Sequence, residues 1–260
     1  MLRKIMKEEY KLITIILKSG LITWLLLLAV WSFGAMFYTD DFLPGPFVTL
    51  KGMAGLISDG TLEKDIMFSL IRVLKGWILG LLFAVPAGLC VGYFKPAGYV
   101  LEPFLNFFRF IPAIGFITLF LLWFGVGESS KVSLIFYAVI FPVMVNTIAG
   151  VKSVDYSLIE AAQSMGAGRS KVFFTVIVPS AVPNIFTGVR LGLSGAIICI
   201  VAAEMLAASE GIGYLIYTSR LYYRTDWIFT GIFTLGIIGL LADKLLRLLG
   251  KRFLYRFGVR

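Results

Sequence analysis

Polar and apolar positions along this chain fall into long blocks. They show neither the strict alternation of a half-buried strand nor the one-sided stripe of a surface helix. Six apolar runs approach the roughly 20 residues that a helix needs to cross a bilayer core. They cover residues 20–38, 69–94, 100–124, 131–150, 185–208 and 227–246. The pattern predicts an all-α membrane protein with six transmembrane helices. Pro103 and Pro112 interrupt the third run. A span tolerates proline where neighbouring helices satisfy the freed carbonyls.

One block breaks this rhythm. Residues 154–179 read VDYSLIEAAQSMGAGRSKVFFTVIVP. Ser157 with Glu160 three residues later is a capping-box pattern. Leu158, Ala161, Ala162 and Met165 recur at i, i+3, i+4 and i+7, which predicts one apolar stripe on a short helix. Gly166 is placed to end that helix at C′. Gly168 loosens the turn again, the chain runs on to Pro179, and the fifth run follows. Two alanines make the stripe shallow. A shallow face beside one fixed carboxylate suits insertion into a groove on another protein. A helix lying on lipid would carry bulky apolar residues and many Lys or Arg instead.

Small residues add a second periodicity. Gly76, Gly80, Ala84, Gly88 and Gly92 recur every fourth position in the second run, and Gly188, Gly192 and Ala196 do so in the fifth. Such lines let two helix backbones approach closely, so both are expected to be packing seams. The residues between Ser58 and Asp65 are expected to form a short outer helix.

Composition sharpens the class. Hydrophobic residues make up 59% of the 260, and charged residues 15%, against about 25% in an ordinary soluble domain. The net charge of +9 comes from Lys and Arg clustered between apolar runs, which fits membrane orientation and argues against a nucleic-acid partner. The N-terminal arm carries Arg3, Lys4, Lys7, Lys11 and Lys18, and the tail is also basic. Lys152, Arg169 and Lys171 mark the 154–179 block, while Asp40, Asp41, Asp59, Glu63 and Asp65 follow the first run. The positive-inside rule then places both termini and the block in the cytoplasm. The first run is long and its one small-x-small match, Ser32 and Gly34, is weak, so an uncleaved first span is expected, not a signal peptide. This gives a cytoplasmic arm at 1–19, a transmembrane domain at 20–250 and a basic cytoplasmic tail at 251–260. The chain has no His, and Cys90 and Cys199 lie far apart inside apolar runs, which offers no metal or redox motif.

Charges at membrane depth are the remaining chemical signal, since each costs about 2.5–3.5 kcal/mol near the bilayer centre on insertion scales. Arg109 just before Pro112, Arg190 near the start of the fifth run and Glu204 toward its outer end are candidates to line a translocation pathway. Snorkelling or an internal ion pair is the commoner origin of such charges.

EAAQSMG (160–166), followed nine residues later by VIVP (176–179), resembles the Glu-Ala-Ala loop of bacterial ATP-binding-cassette importer permeases. Val stands where the family pattern has Ile and Leu. FLPGP, SLIRVLKGW, RFIPAIGFITLFLLWFGVGESSK, NTIAGVKSVD, PSAVPNIFTGVRLGLSGA and VAAEMLAASEGIGYLI resemble one subfamily, the permeases for nitrate, taurine and aliphatic sulfonates. The resemblance covers nearly the whole chain from about Phe42. It implies a type I importer permease fold in which the loop is a coupling helix. Glu160 would anchor that helix, Ala161, Ala162 and Met165 would form its fitting face, Gly166 its turn and Pro179 its end. It also implies a partner set: a second permease subunit as a homodimer, two ATPase subunits that bind ATP and Mg, an extracytoplasmic solute-binding protein, and lipid of the bacterial inner membrane. The implied solute is a small organic or inorganic anion such as sulfonate, taurine or nitrate. Thiamine-pyrimidine precursors, riboflavin and aromatic carboxylates are other cargoes of the same subfamily.

The chain has no GxxxxGK[ST] phosphate loop, so any ATP site belongs to another chain and this one is expected to be no enzyme. An ion-coupled transporter acting alone would want carboxylates or His buried mid-span, and Glu204 is the one candidate here. A membrane enzyme would want clustered acid–base or ligand residues, and a scaffold would need no polar pathway.

Overall fold

The computed structural model describes residues 20–259, so the expected arm at 1–19 lies outside the described residues. Two helices precede the first long one. They are α1 (Leu21–Ala35) and α2 (Pro46–Ser58). The α2 helix starts at Pro46, where the missing N–H costs nothing. It ends at Asp59, and Gly60 takes a left-handed φ of 78° that turns the chain straight into α3 (Thr61–Tyr93). The expected helix at 58–65 is therefore the end of one helix and the start of another. The apolar pattern began only at residue 69, but backbone hydrogen bonding carries α3 two turns further into polar sequence.

The third run is not a single straight span. It forms α4 (Lys95–Phe108), a 3-10 turn (Ala113–Phe116) and α5 (Ile117–Phe124), with an 87° bend between the halves. Pro112 supplies the break: its ring cannot donate the next helical hydrogen bond. The helix α6 (Glu128–Lys152) follows, and then the short α7 (Tyr156–Ser164).

The largest correction lies just after α7. Sequence placed a connecting segment up to Pro179 and a fifth span at 185–208. Instead, one helix, α8, runs continuously from Arg169 to Ala207. Its second turn, Phe173–Ile177, is π-helical. Pro179 and Pro183 sit just beyond that turn. A π turn is a local way to relieve an α-helical ladder that proline interrupts. The helices α9 (Ile212–Leu221) and α10 (Thr225–Phe253) complete the described chain. Among the described residues, α3, α6 and α8 are long and apolar enough to cross a membrane, and the bent α4–α5 pair makes a fourth if it is one span.

The core is built around α6, whose Leu134, Ile135, Val139 and Val143 have no exposed surface. Both predicted seams close on it. A Cβ added to Gly76 would lie 2.6 Å from Ile135, one on Gly80 2.6 Å from Val139, and one on Gly88 2.8 Å from Thr147. On a neighbouring face, Gly188 and Gly192 of α8 lie against Val143 and Asn146. The two lines of small residues close on adjacent faces of one helix, and both reach Val139.

This packing reverses the usual sign of a glycine substitution. Alanine normally stabilises a helix interior over glycine by about 0.5–1 kcal/mol. Gly236→Ala, where an added Cβ meets nothing within 4 Å, is expected to follow that rule. Gly80→Ala should instead destabilise by roughly 1–3 kcal/mol through overpacking. Thermal unfolding of the two purified variants checks the contrast, and equal melting temperatures would refute the seam.

Candidate functional site

The loop between α6 and α8 is a folded element with two faces. Its helix α7 is capped by Asp155, whose carboxylate accepts from the Ser157 backbone N–H at 2.9 Å. The expected capping box therefore shifts: Ser157 lies inside the helix, Asp155 is the cap, and Glu160 falls in the second turn. The Ser157 N–H and hydroxyl hold the Asp155 carboxyl below its ordinary range. At the other end Gly166 adopts φ 81°. The Gly166 N–H reaches Gln163 O at 2.8 Å and the Ala167 N–H reaches Ala162 O at 3.1 Å. That pair is a Schellman closure, with glycine at the position that requires a left-handed backbone.

The predicted stripe divides between the two faces. Ala162 is buried, and with half-buried Ile159 it packs on Val172, Ile177 and Ala181 of α8. Leu158, Ala161 and Met165 point outward and are exposed, Met165 by 82%. Sequence reasoning placed Ala162 on the outer face and missed Ile159, which falls 100° from Leu158 on a helical wheel. The result is a short helix fixed by its inner face that offers a low apolar ridge outward. Glu160 is exposed on a third side of the helix, away from both the ridge and the packed face.

Pathway candidates separate into two groups. Arg109 and Pro112 line one cavity of about 350 Å³, formed where α4 breaks and closed by α6 and α8. Tyr137 crosses its wall and donates its hydroxyl to Phe108 O at 3.1 Å. That tie holds the broken end of α4 to α6. Pro142, also on the wall, has no N–H to give the Ala138 carbonyl one turn earlier. Arg109 is exposed at the cavity, 4.8 Å from the Phe110 ring centre.

Arg190 and Glu204 lie elsewhere. Arg190 Nε donates to Asp243 Oδ1 at 2.8 Å, tying α8 to α10, and Arg247 holds the second oxygen of that carboxylate. Glu204 has no exposed surface. Arg72 Nη1 donates to its Oε1 at 2.8 Å, the Gly213 N–H to its Oε2 at 2.9 Å, and the Ser69 hydroxyl reaches both oxygens. Arg72 also grips Glu128 through two nitrogens and donates to Glu210 O. Asp65, itself buried, accepts from the Gly211 N–H at 2.7 Å. Both residues thus take the internal ion-pair arrangement. The Glu204 network clamps α3, α6, α8 and the turn into α9 at the end opposite α7.

Residues 76–255 match the family of binding-protein-dependent transport system inner membrane components. The chain belongs to this family. Among the permease's relatives is an ABC transporter permease protein of Brucella melitensis, 42% identical over 81% of this chain and 85% of that protein. The taurine transport system permease protein of Escherichia coli is 36% identical over 88% of this chain and 86% of its own length. The nitrate import permease protein of Synechococcus elongatus is 28% identical over 86% and 85%. The fold is shared with the inward-facing MetNI methionine ABC transporter, at a TM-score of 0.60 and 16% identity over 73% of this chain and 92% of that one. An amino acid ABC transporter crystallised with histidines gives the same TM-score over 77% and 97%.

Two residues of the permease were invisible to pattern reading. The capping-box pattern drew the cap to Ser157, although Asp155 two residues earlier is an equally good cap residue. Arg72 lay just inside the second apolar run, and nothing local marks its partners, which are 56 and 132 residues away.

Proposed function

We propose that this permease forms the solute pathway of an ATP-driven importer and docks through α7 into a separate ATPase subunit. The observation that carries the reading is the geometry of α7, a helix anchored by Ile159 and Ala162 that presents Leu158, Ala161 and Met165 outward. A protruding, rigidly seated helix transmits force to a partner cleft. Glu160 and Gly166 serve as its anchor and its turn, while Pro179 lies inside the continuous α8, just past the π-helical turn.

Six crossings complete the assembly: α1, α3, the bent α4–α5 pair, α6, α8 and α10. A cytoplasmic position for that side is supported by Lys152, Arg169 and Lys171 beside α7 and by Lys251 and Arg252 at the end of α10. The working unit is a homodimer of this chain with two ATPase subunits, which hold ATP and Mg, and an external solute-binding protein. The pathway runs past Arg109 and Pro112. The solute is a small organic or inorganic anion of the sulfonate, taurine or nitrate kind, as two relatives' names suggest.

Thermal shift of the solute-binding protein encoded beside this gene tests the cargo, using taurine, alkanesulfonates, nitrate, bicarbonate, a hydroxymethyl-pyrimidine and riboflavin. The solute that stabilises it is expected to enter proteoliposomes holding the reconstituted complex only when ATP is present. Uptake without ATP would return the protein to the ion-coupled class.

A further inference from the structure

Arg109 differs from the other arginines set deep in the helical body. Arg72 is bound by two carboxylates and Arg190 by one. No carboxylate among the described residues lies within ion-pair distance of Arg109, which lines a cavity and has its guanidinium 4.8 Å from the Phe110 ring centre. No other charged residue lines that cavity, whose walls are aliphatic, aromatic and proline side chains.

Its depth is fixed by α6. Tyr137 and Pro142 lie nine residues after Glu128 and ten before Lys152, or about 14–15 Å from each end at 1.5 Å per residue. With a hydrocarbon core about 30 Å thick, the cavity sits at mid-membrane. An arginine kept there without a partner is costly, and its planar fork of donors matches a carboxylate, sulfonate or nitrate. A helix broken at the midplane is also where transporters hold their cargo.

We propose that the cavity at the α4–α5 break is a transient binding site for the anionic head of the solute, with Arg109 as the residue that recognises it. The small apolar body of the solute rests against α6 and α8. The site takes monoanions and disfavours cations, because its one charge is positive and no acceptor carboxylate lines it. This rests on the importer reading and adds to it that the membrane subunit itself selects for charge.

Cysteine labelling reads this without any transport assay. Ile198 lines the cavity and is 75% exposed. Ile198→Cys, placed in the full complex carrying Cys90→Ser and Cys199→Ala, gives a reporter thiol. Its reaction rates with a sulfonate-bearing and a trimethylammonium-bearing methanethiosulfonate are compared, each normalised to free cysteine. The anionic reagent is expected to be preferred by roughly tenfold, the scale of one unit charge a few ångströms away under water-like screening. Arg109→Gln should abolish the preference and Arg109→Lys should retain most of it. Equal rates with Arg109 present, or a preference that survives Arg109→Gln, would overturn the proposal. Size-exclusion profiles identify variants that fail to fold, and Arg109→Lys then carries the comparison against unsubstituted Arg109. ATP-dependent uptake by the unsubstituted complex is scored separately. Its absence sinks the importer reading, whereas normal uptake with no charge preference sinks only the site.

Discussion

Glu160→Arg is expected to leave the permease folded and inserted while abolishing ATP-driven uptake. Glu160 is exposed and makes no ion pair among the described residues. Its side of α7 lies about 100° from Ile159 and 200° from Leu158, away from the packing against α8. Surface substitutions away from special features usually change stability by no more than about 0.5 kcal/mol. A docked charge is different. Reversing it leaves a buried partner group facing a like charge, and truncating such pairs already costs about 2–5 kcal/mol in binding. That is a loss of roughly thirtyfold to several-thousandfold in ATPase affinity. Affinity copurification of the ATPase with the variant, alongside uptake, measures it. Wild-type copurification with wild-type uptake would show that α7 is only a connection.

Arg72→Met is expected to damage the fold itself. It strands Glu204, which has no exposed surface, with one backbone N–H and one hydroxyl in place of a guanidinium. Breaking a buried ion pair from one side typically costs about 3–5 kcal/mol, because an uncompensated charge remains. The double variant Arg72→Met, Glu204→Met removes both charges and should recover a large part of that loss. Thermal unfolding in detergent, compared across the two singles and the double, checks it. A double variant as unstable as the sum of the singles would mean that the two residues act separately.

Local sequence carried the elements whose cause is local. The four-residue spacing of Gly76 through Gly92 needs only helical geometry to become a seam, and the structure places Ile135, Val139 and Thr147 against it. Gly166 ends α7 because its backbone sits where other residues are strained. Span limits were less legible. Apolarity shows where lipid would be, while hydrogen bonding decides where a helix stops, so α3 and α8 run far beyond their greasy parts. Pro112 was visible as an interruption, but an 87° bend depends on what packs in the elbow, here the Tyr137 hydroxyl on Phe108 O. The role of Glu204 was the least legible, since its cradle draws on Ser69, Arg72 and Gly213 from different parts of the chain. Depth alone could not tell a charge lining a cavity from a clamp, and only the surroundings separate Arg109 from Glu204.

The π-helical turn at Phe173–Ile177 sets the phase between α7 and the membrane. The setting of α7 against the rest of α8, the outward ridge included, depends on the number of residues wound between Arg169 and Pro179. Each residue of an α-helix advances the azimuth by about 100°. The stretch should therefore accept exchanges of side chain far more readily than a change in its count. One residue more or fewer would turn Val172 about 100° away from Ala181, split the surface on which Ile159 and Ala162 seat, and leave the ridge without its footing.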